Sequence, residues 1–203
     1  MDCFALLNQP RRPWLDPEAL KQQFLSLSAA FHPDRVHNAD ATEKRAAQQR
    51  YAELNAAYNR LREPKERLQH LLELELGSPP MQLQRIPDDL MDFSMEIARI
   101  CRDTDAFLAE KAKTTSPLLQ VQLFQRGQHM HEQLTALARE INFRRDQLDD
   151  ALKELDARWP AGATSDSPER QSALTRLEAL WRLLGFLLRW STQVQERHVQ
   201  LTL

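Results

Sequence analysis

Residues 27–38 read LSAAFHPDRVHN, an apolar, alanine-containing run that meets His32-Pro33-Asp34. Proline lacks a backbone donor and clashes with the preceding turn, so a helix entering this stretch has to stop there. An imidazole, a rigid ring and a carboxylate are left at its exit. What flanks the tripeptide decides whether it is an ordinary helix stop or a surface held out for a partner.

Upstream, Asp16-Pro17-Glu18 is a helix start: a capping carboxylate, a proline at the first helical position and an acid near the positive helix end. Leu20, Phe24, Leu27 and Phe31 then recur at helical spacing and make one apolar stripe. Before them, Asp2 caps a short helix that Asn8, tolerant of left-handed backbone, brings to an end. The prolines of QPRRP (9–13) force a loop. Downstream, a polar loop from Arg35 to Ala41 leads to a helix starting near Thr42. Tyr51, Leu54, Tyr58 and Leu61 alternate spacings of three and four along it, the pattern of a helix packed antiparallel against a neighbour. Pro64 closes that helix, and KERLQHLLELEL (65–76) continues as another.

GSPPMQLQRIP (77–87), rich in proline and glutamine, reads as a linker between domains. Helices are expected beyond it from about Asp88 to Lys113, from Ser116-Pro117 to about Arg158, and from Ser167-Pro168 onward. Leu123, Gly127, Met130, Leu134, Leu137, Ile141, Leu148, Leu152 and Leu155 form a near-heptad seam along the middle one. Long amphipathic helices with short connections predict a three-helix bundle over 88–203. In WRLLGFLLRW (181–190), Trp181, Leu184 and Leu188 face inward, while Leu180, Leu183, Leu187 and Trp190 lie partly aside. Either this helix is covered from two sides, the favoured reading, or an apolar patch is left for a partner or dimer mate.

Composition agrees with an all-α chain: 203 residues with only 4 glycines, few β-branched residues and abundant leucine, alanine, glutamine and arginine. Lys+Arg 27 against Asp+Glu 29 gives no general affinity for nucleic acid. Cys3 and Cys101 lie far apart without metal-type spacing, which fits free thiols in a reducing compartment. The N-terminal residues lack a secretory or transit pattern, and the longest oily run is too short to span a bilayer. These features predict a soluble, cytoplasmic protein with no membrane partner. His32 and His37 lack a third ligand, and His129 and His131 fall on different helix faces as solvent or rim residues, so no metal is expected. No nucleophile–base pair, phosphate loop or dinucleotide fingerprint is present. Neither an enzyme nor a cofactor is expected.

The flanks settle the meaning of the tripeptide. DCFALLN (2–8), LKQQFLSLSAAFHPDR (20–35) and ELNAAYNRLREPKER (53–67) resemble, in order, the opening helix, the second helix with its signature loop, and the third helix with its following turn in the J-domain of DnaJ-type co-chaperones. The resemblance covers about residues 1–76. With RLQHLLEL (67–74) and a helical C-terminal domain, and without a Gly/Phe-rich segment or Cys-x-x-Cys repeats, the chain is most similar to the HscB-type co-chaperones of iron–sulfur cluster assembly.

That resemblance implies a J-domain (1–76), a linker (77–87) and a client-binding bundle (88–203). His32, Pro33, Asp34, Arg35 and Lys21 would dock on a DnaK/HscA-type ATP-dependent chaperone and stimulate its ATPase. Leu90, Met91, Met95, Glu96 and Arg102 would hold an iron–sulfur cluster scaffold protein as client. LMD (90–92) and SME (94–96) are alternative registers of the client stretch. The family carries more basic residues on its second helix than Lys21 among Gln22, Gln23, Ser26 and Ser28, which predicts a weaker or more specialised chaperone contact. The protein is expected to be a monomer or weak homodimer. A J-domain protein with another client, or with a dimerising bundle as scaffold, is the alternative.

Overall fold

The computed structural model describes residues 1–31, 40–81, 86–160 and 167–202, apart from the side chains of Pro117, Leu118 and Gln120. Its elements are α1 (Cys3–Leu6), α2 (Pro17–Ala29), α3 (Ala41–Arg62), α4 (Pro64–Leu76), a 3-10 turn (Asp88–Leu90), α5 (Met91–Lys113), α6 (Pro117–Ala157) and α7 (Pro168–Thr202). The fold is all-α, and the described residues contain no strand.

The helix starts have local causes. Asp2 Oδ1 accepts from the backbone N–H of Phe4 and Ala5 at 2.9 and 3.2 Å. Asp16 Oδ1 accepts from Ala19 N at 2.7 Å, with Pro17 at the first helical position. Asp40 Oδ1 caps α3 through Thr42 N and Glu43 N, both at 2.8 Å. Each carboxylate satisfies donors that the helix itself leaves free. Asn8 closes α1 at φ 51° and Gly77 closes α4 at φ 70°. Asparagine and glycine tolerate that left-handed backbone best.

The chain divides into two compact units: Met1–Met81 with Ala151–Trp181, and Gln82–Asp150 with Arg182–Leu203. The end of α6 and the start of α7 thus join the residues that precede the 77–87 segment. Helix length gives the reason. At 23 residues α5 covers little more than half of the 41-residue α6, whose seam continues past it and needs other cover.

In the first unit, α3 packs against α1, α2 and α4. Phe24 of α2 stacks on Tyr58 of α3 with centroids 4.4 Å apart, both half-buried rather than enclosed. Leu20, Leu54, Ala57, Leu61, Leu68, Leu71 and Leu72 are buried. Polar side chains fix the junctions. Arg67 donates from Nη1 to Leu61 O at 2.9 Å and from Nε to Pro13 O at 3.2 Å, so it satisfies the last turn of α3 and a loop carbonyl together. His70 stacks on Phe4, and its Nε2 accepts from Cys3 N at 3.0 Å. Burial lowers its pKa, and Arg60 adds to the effect, so the ring is held neutral. Arg170 binds Glu75 Oε2 through Nε and Nη2, donates from Nη1 to Pro160 O at 3.1 Å, and lies over the Trp159 ring.

The second unit is an up-down-up arrangement. Phe93 and Thr104 of α5 meet Arg144 and Met130 of α6, which runs antiparallel. Phe93 and Cys101 of α5 meet Trp190 and Arg197 of α7, which runs parallel to α5. The seam holds: Leu123, Leu134, Leu137, Ile141, Leu148 and Leu152 are buried, and Gly127, Met130 and Leu155 are half-buried. The oily segment of α7 is covered from more than one side. Leu180, Trp181, Leu184, Phe186, Leu187 and Trp190 are buried, and Leu183 and Leu188 are half-buried, so little apolar surface of this segment is left for a partner or dimer mate.

Candidate chaperone- and client-docking surfaces

The apolar stripe of α2 turns Leu20 inward and leaves Lys21, Gln22, Ser26 and Ala29 exposed. Lys21 is thus presented to solvent as expected. One turn beyond it, on the same face, Leu25 is 47% exposed. Leu25 escaped the reading of the sequence, although its signal is there: it stands one position off the Leu20–Phe24–Leu27–Phe31 stripe, so a helix must point it elsewhere. The exposed face of α2 therefore combines one anion, Glu18, one cation, one apolar side chain and neutral polar groups. His32, Pro33, Asp34 and Arg35 lie outside the described residues, and so does His37.

The client stretch sits on α5. Leu90, the last residue of the 3-10 turn, is buried. Met91 and Met95 are 41% and 63% exposed, and Ala98 and Arg102 continue their stripe on the exposed side. Glu96 is exposed on the flank, beside Asp92 and the Arg99–Asp103 ion pair of 3.2 Å. Buried Phe93, Ile97, Ile100 and Cys101 anchor the opposite face. Phe93 meets the Trp190 ring edge-on at 5.7 Å, and the Arg144 guanidinium lies 4.6 Å from its centroid. These contacts set the rotation of α5, and the rotation turns the methionines outward.

Of the two α6 imidazoles, one has a partner that the sequence did not reveal. His129 is exposed, as a solvent residue should be. His131 is half-buried and stacks on His198 of α7 at 4.3 Å, while His198 Nε2 lies 3.2 Å from Thr135 Oγ1. Residues this far apart in sequence give no local signal of pairing. Cys3 and Cys101 are free and buried, and burial raises the pKa of both thiols. Among the described residues, no cluster of three or more His, Cys, Asp or Glu is placed to hold a metal ion. No helix among them is long and apolar enough to cross a membrane.

No family model matches the chain. It is 43% identical over 72 residues to the Co-chaperone protein HscB homolog of Bordetella pertussis, covering 36% of this chain and 42% of the relative. The aligned stretch is therefore less than half of that protein's length. Among solved structures, the chaperone HscB from Vibrio cholerae superposes with a TM-score of 0.62 at 22% identity, covering 99% of each chain. Human co-chaperone protein HscB gives a TM-score of 0.43 at 20% identity over 92% of this chain and 82% of the human one. The chain is thus HscB-like, in fold along its whole length and in sequence over the shared 72-residue stretch.

Proposed function

We propose that the chain is a co-chaperone that docks on the ATP-bound form of a DnaK/HscA-type chaperone, stimulates its ATPase, and delivers an iron–sulfur cluster scaffold protein. The observation that carries this reading is the 43% identity over 72 residues to a protein named as an HscB co-chaperone. Asp34 supplies a carboxylate for a chaperone arginine, a charge-assisted bond stronger than a neutral one. Pro33 narrows the conformations of its segment, so less entropy is lost on docking. His32 offers a flat ring with a hydrogen-bonding edge. Lys21 and Arg35 supply positive charge toward an acidic surface, and the sparse charge on α2 makes encounter slow and only weakly salt-sensitive.

The scaffold protein would be held on the Met91–Met95 stripe, with Glu96 and Arg102 as charged flanks. Unbranched, polarizable methionines adapt to an apolar partner surface, and the flanking charges fix its orientation. Leu90 supports this surface from behind.

The test has two arms. Wild-type chain should raise the chaperone's ATPase rate while His32→Gln does not. The scaffold protein should co-purify with wild type and be lost with Met91→Ala/Met95→Ala. Equal stimulation by wild type and His32→Gln would remove the mechanism. Retention of the scaffold by the methionine variant would move the client surface elsewhere.

A further inference from the structure

We infer that the second unit carries a separate docking cleft for an acidic, apolar peptide segment of a partner protein. The cleft has a volume of about 570 Å³ and lies where the C-terminal turns of α5 and α7 meet the N-terminal turns of α6. That volume lies within the ordinary range of binding sites. Phe107, Leu123, Phe124 and Leu201 supply its apolar walls.

Its depth comes from Gly127. A Cβ placed there would lie 3.3 Å from Phe107 Cζ, so the missing side chain lets that ring press against α6. Phe124 is 67% exposed and Val121, one turn earlier on α6, is 64% exposed. Together they form an apolar strip leading out of the cleft. Exposed aromatic surface beside a concavity is the kind of surface that partners cover.

Charge defines the occupant. Lys111 and His131 line the cleft, and among the described residues no carboxylate does. Lys111 is exposed and has no ion-pair partner among the described residues. The neighbouring Glu110 is neutralised by Arg126 Nη1 at 2.8 Å, and the same guanidinium lies 5.5 Å from the Phe107 centroid. The ring of His131 is held in place by its stack on His198. An apolar side chain in the cleft with a carboxylate next to it meets both features at once.

Gln128 also lines the site with its amide, and Thr114 and Thr202, whose hydroxyls donate to Glu110 O and Val199 O, keep acceptor capacity for a peptide N–H. A peptide backbone can use these groups, whereas an acyl chain cannot, which favours peptide over lipid. The cleft stands near the far end of α5 from Met91 and Met95, and the inference is independent of the co-chaperone reading.

The experiment selects phage-displayed random dodecapeptides on the full chain and measures the affinity of the best peptide. Leucine or phenylalanine beside aspartate or glutamate should be enriched, and affinity should fall with added salt. Phe124→Ser and Lys111→Glu, both at exposed positions, should each weaken binding by about tenfold or more. Lys111→Arg and Met91→Ala/Met95→Ala should bind as wild type, and circular dichroism should show all variants folded. The inference is overturned if selection on the Phe124→Ser/Lys111→Glu chain enriches the same peptides. It is equally overturned if the chain binds oleate and no peptide, or if it sediments as a dimer that Phe124→Ser disperses.

Discussion

The two units solve the same packing problem by different means. In the first, the helices α1 to α4, of 4 to 22 residues, and the adjoining ends of α6 and α7 are tied together by buried polar side chains, Arg67, His70 and Arg170, whose bonds reach a loop carbonyl, a backbone N–H and a carboxylate on other elements. In the second, α5 packs along much longer helices by an apolar seam, and Thr104 is the buried polar residue among those described. The difference follows from length. A long helix carries enough repeats for its stripe to fix rotation and register. A short one does not, and directional hydrogen bonds fix what the stripe leaves open. The first unit should therefore be the more sensitive to losing one polar group, and the second to losing volume.

Arg170→Met removes the guanidinium that lies over Trp159 and strands the Glu75 carboxylate, which has only about a tenth of its side chain exposed. Removing one partner of such a pair costs about 3–5 kcal/mol. Hydrogen exchange should accelerate in α4 and in residues 168–181 more than in α5. A loss under about 1 kcal/mol would erase the contrast between the units.

Leu134→Ala, at a fully buried seam position, should cost about 3 kcal/mol and act mainly on the second unit. Faster exchange in α4 than in α5 for this variant would show that the seam carries the first unit too.

The smallest effect is that of pH. The folded-state pKa of His70 is lowered, so the unfolded chain binds more protons and stability rises with pH. The contribution is complete above the unfolded value of about 6.5 and is lost as pH falls below it toward the lower folded value, by at most about 1.4 kcal/mol per pH unit. Protonation would also turn Nε2 from acceptor to donor and break its bond to Cys3 N. His70→Gln keeps an acceptor without titrating. Urea midpoints at pH 7 and pH 5 should diverge less for that variant than for wild type, and equal divergence would place the acid sensitivity at another group.

Much of this was legible in the residues. Asp16-Pro17, Ser116-Pro117 and Ser167-Pro168 mark helix starts through local chemistry, Pro64 marks the break after α3, and Leu123 to Leu155 mark the seam through periodicity. Met91, Met95 and Arg102 fall on the exposed side of α5 for the same reason. Leu90 sits where the 3-10 turn enters α5 and is buried, on the opposite side from that stripe. Arg67, His70 and Arg170 were not legible at all. A charged or imidazole residue in an amphipathic helix reads as surface, and nothing local reveals that its partner is Pro13 O, Cys3 N or Glu75, distant in sequence. The same holds for the His131–His198 stack.

The enclosed thiols have a practical consequence. The chain has 2 cysteines, and Cys3 and Cys101 fall in different units. An alkylating reagent reaches each sulfur only when its surroundings open, so the order of modification, read by peptide mass, dates the breathing of each half against an internal clock.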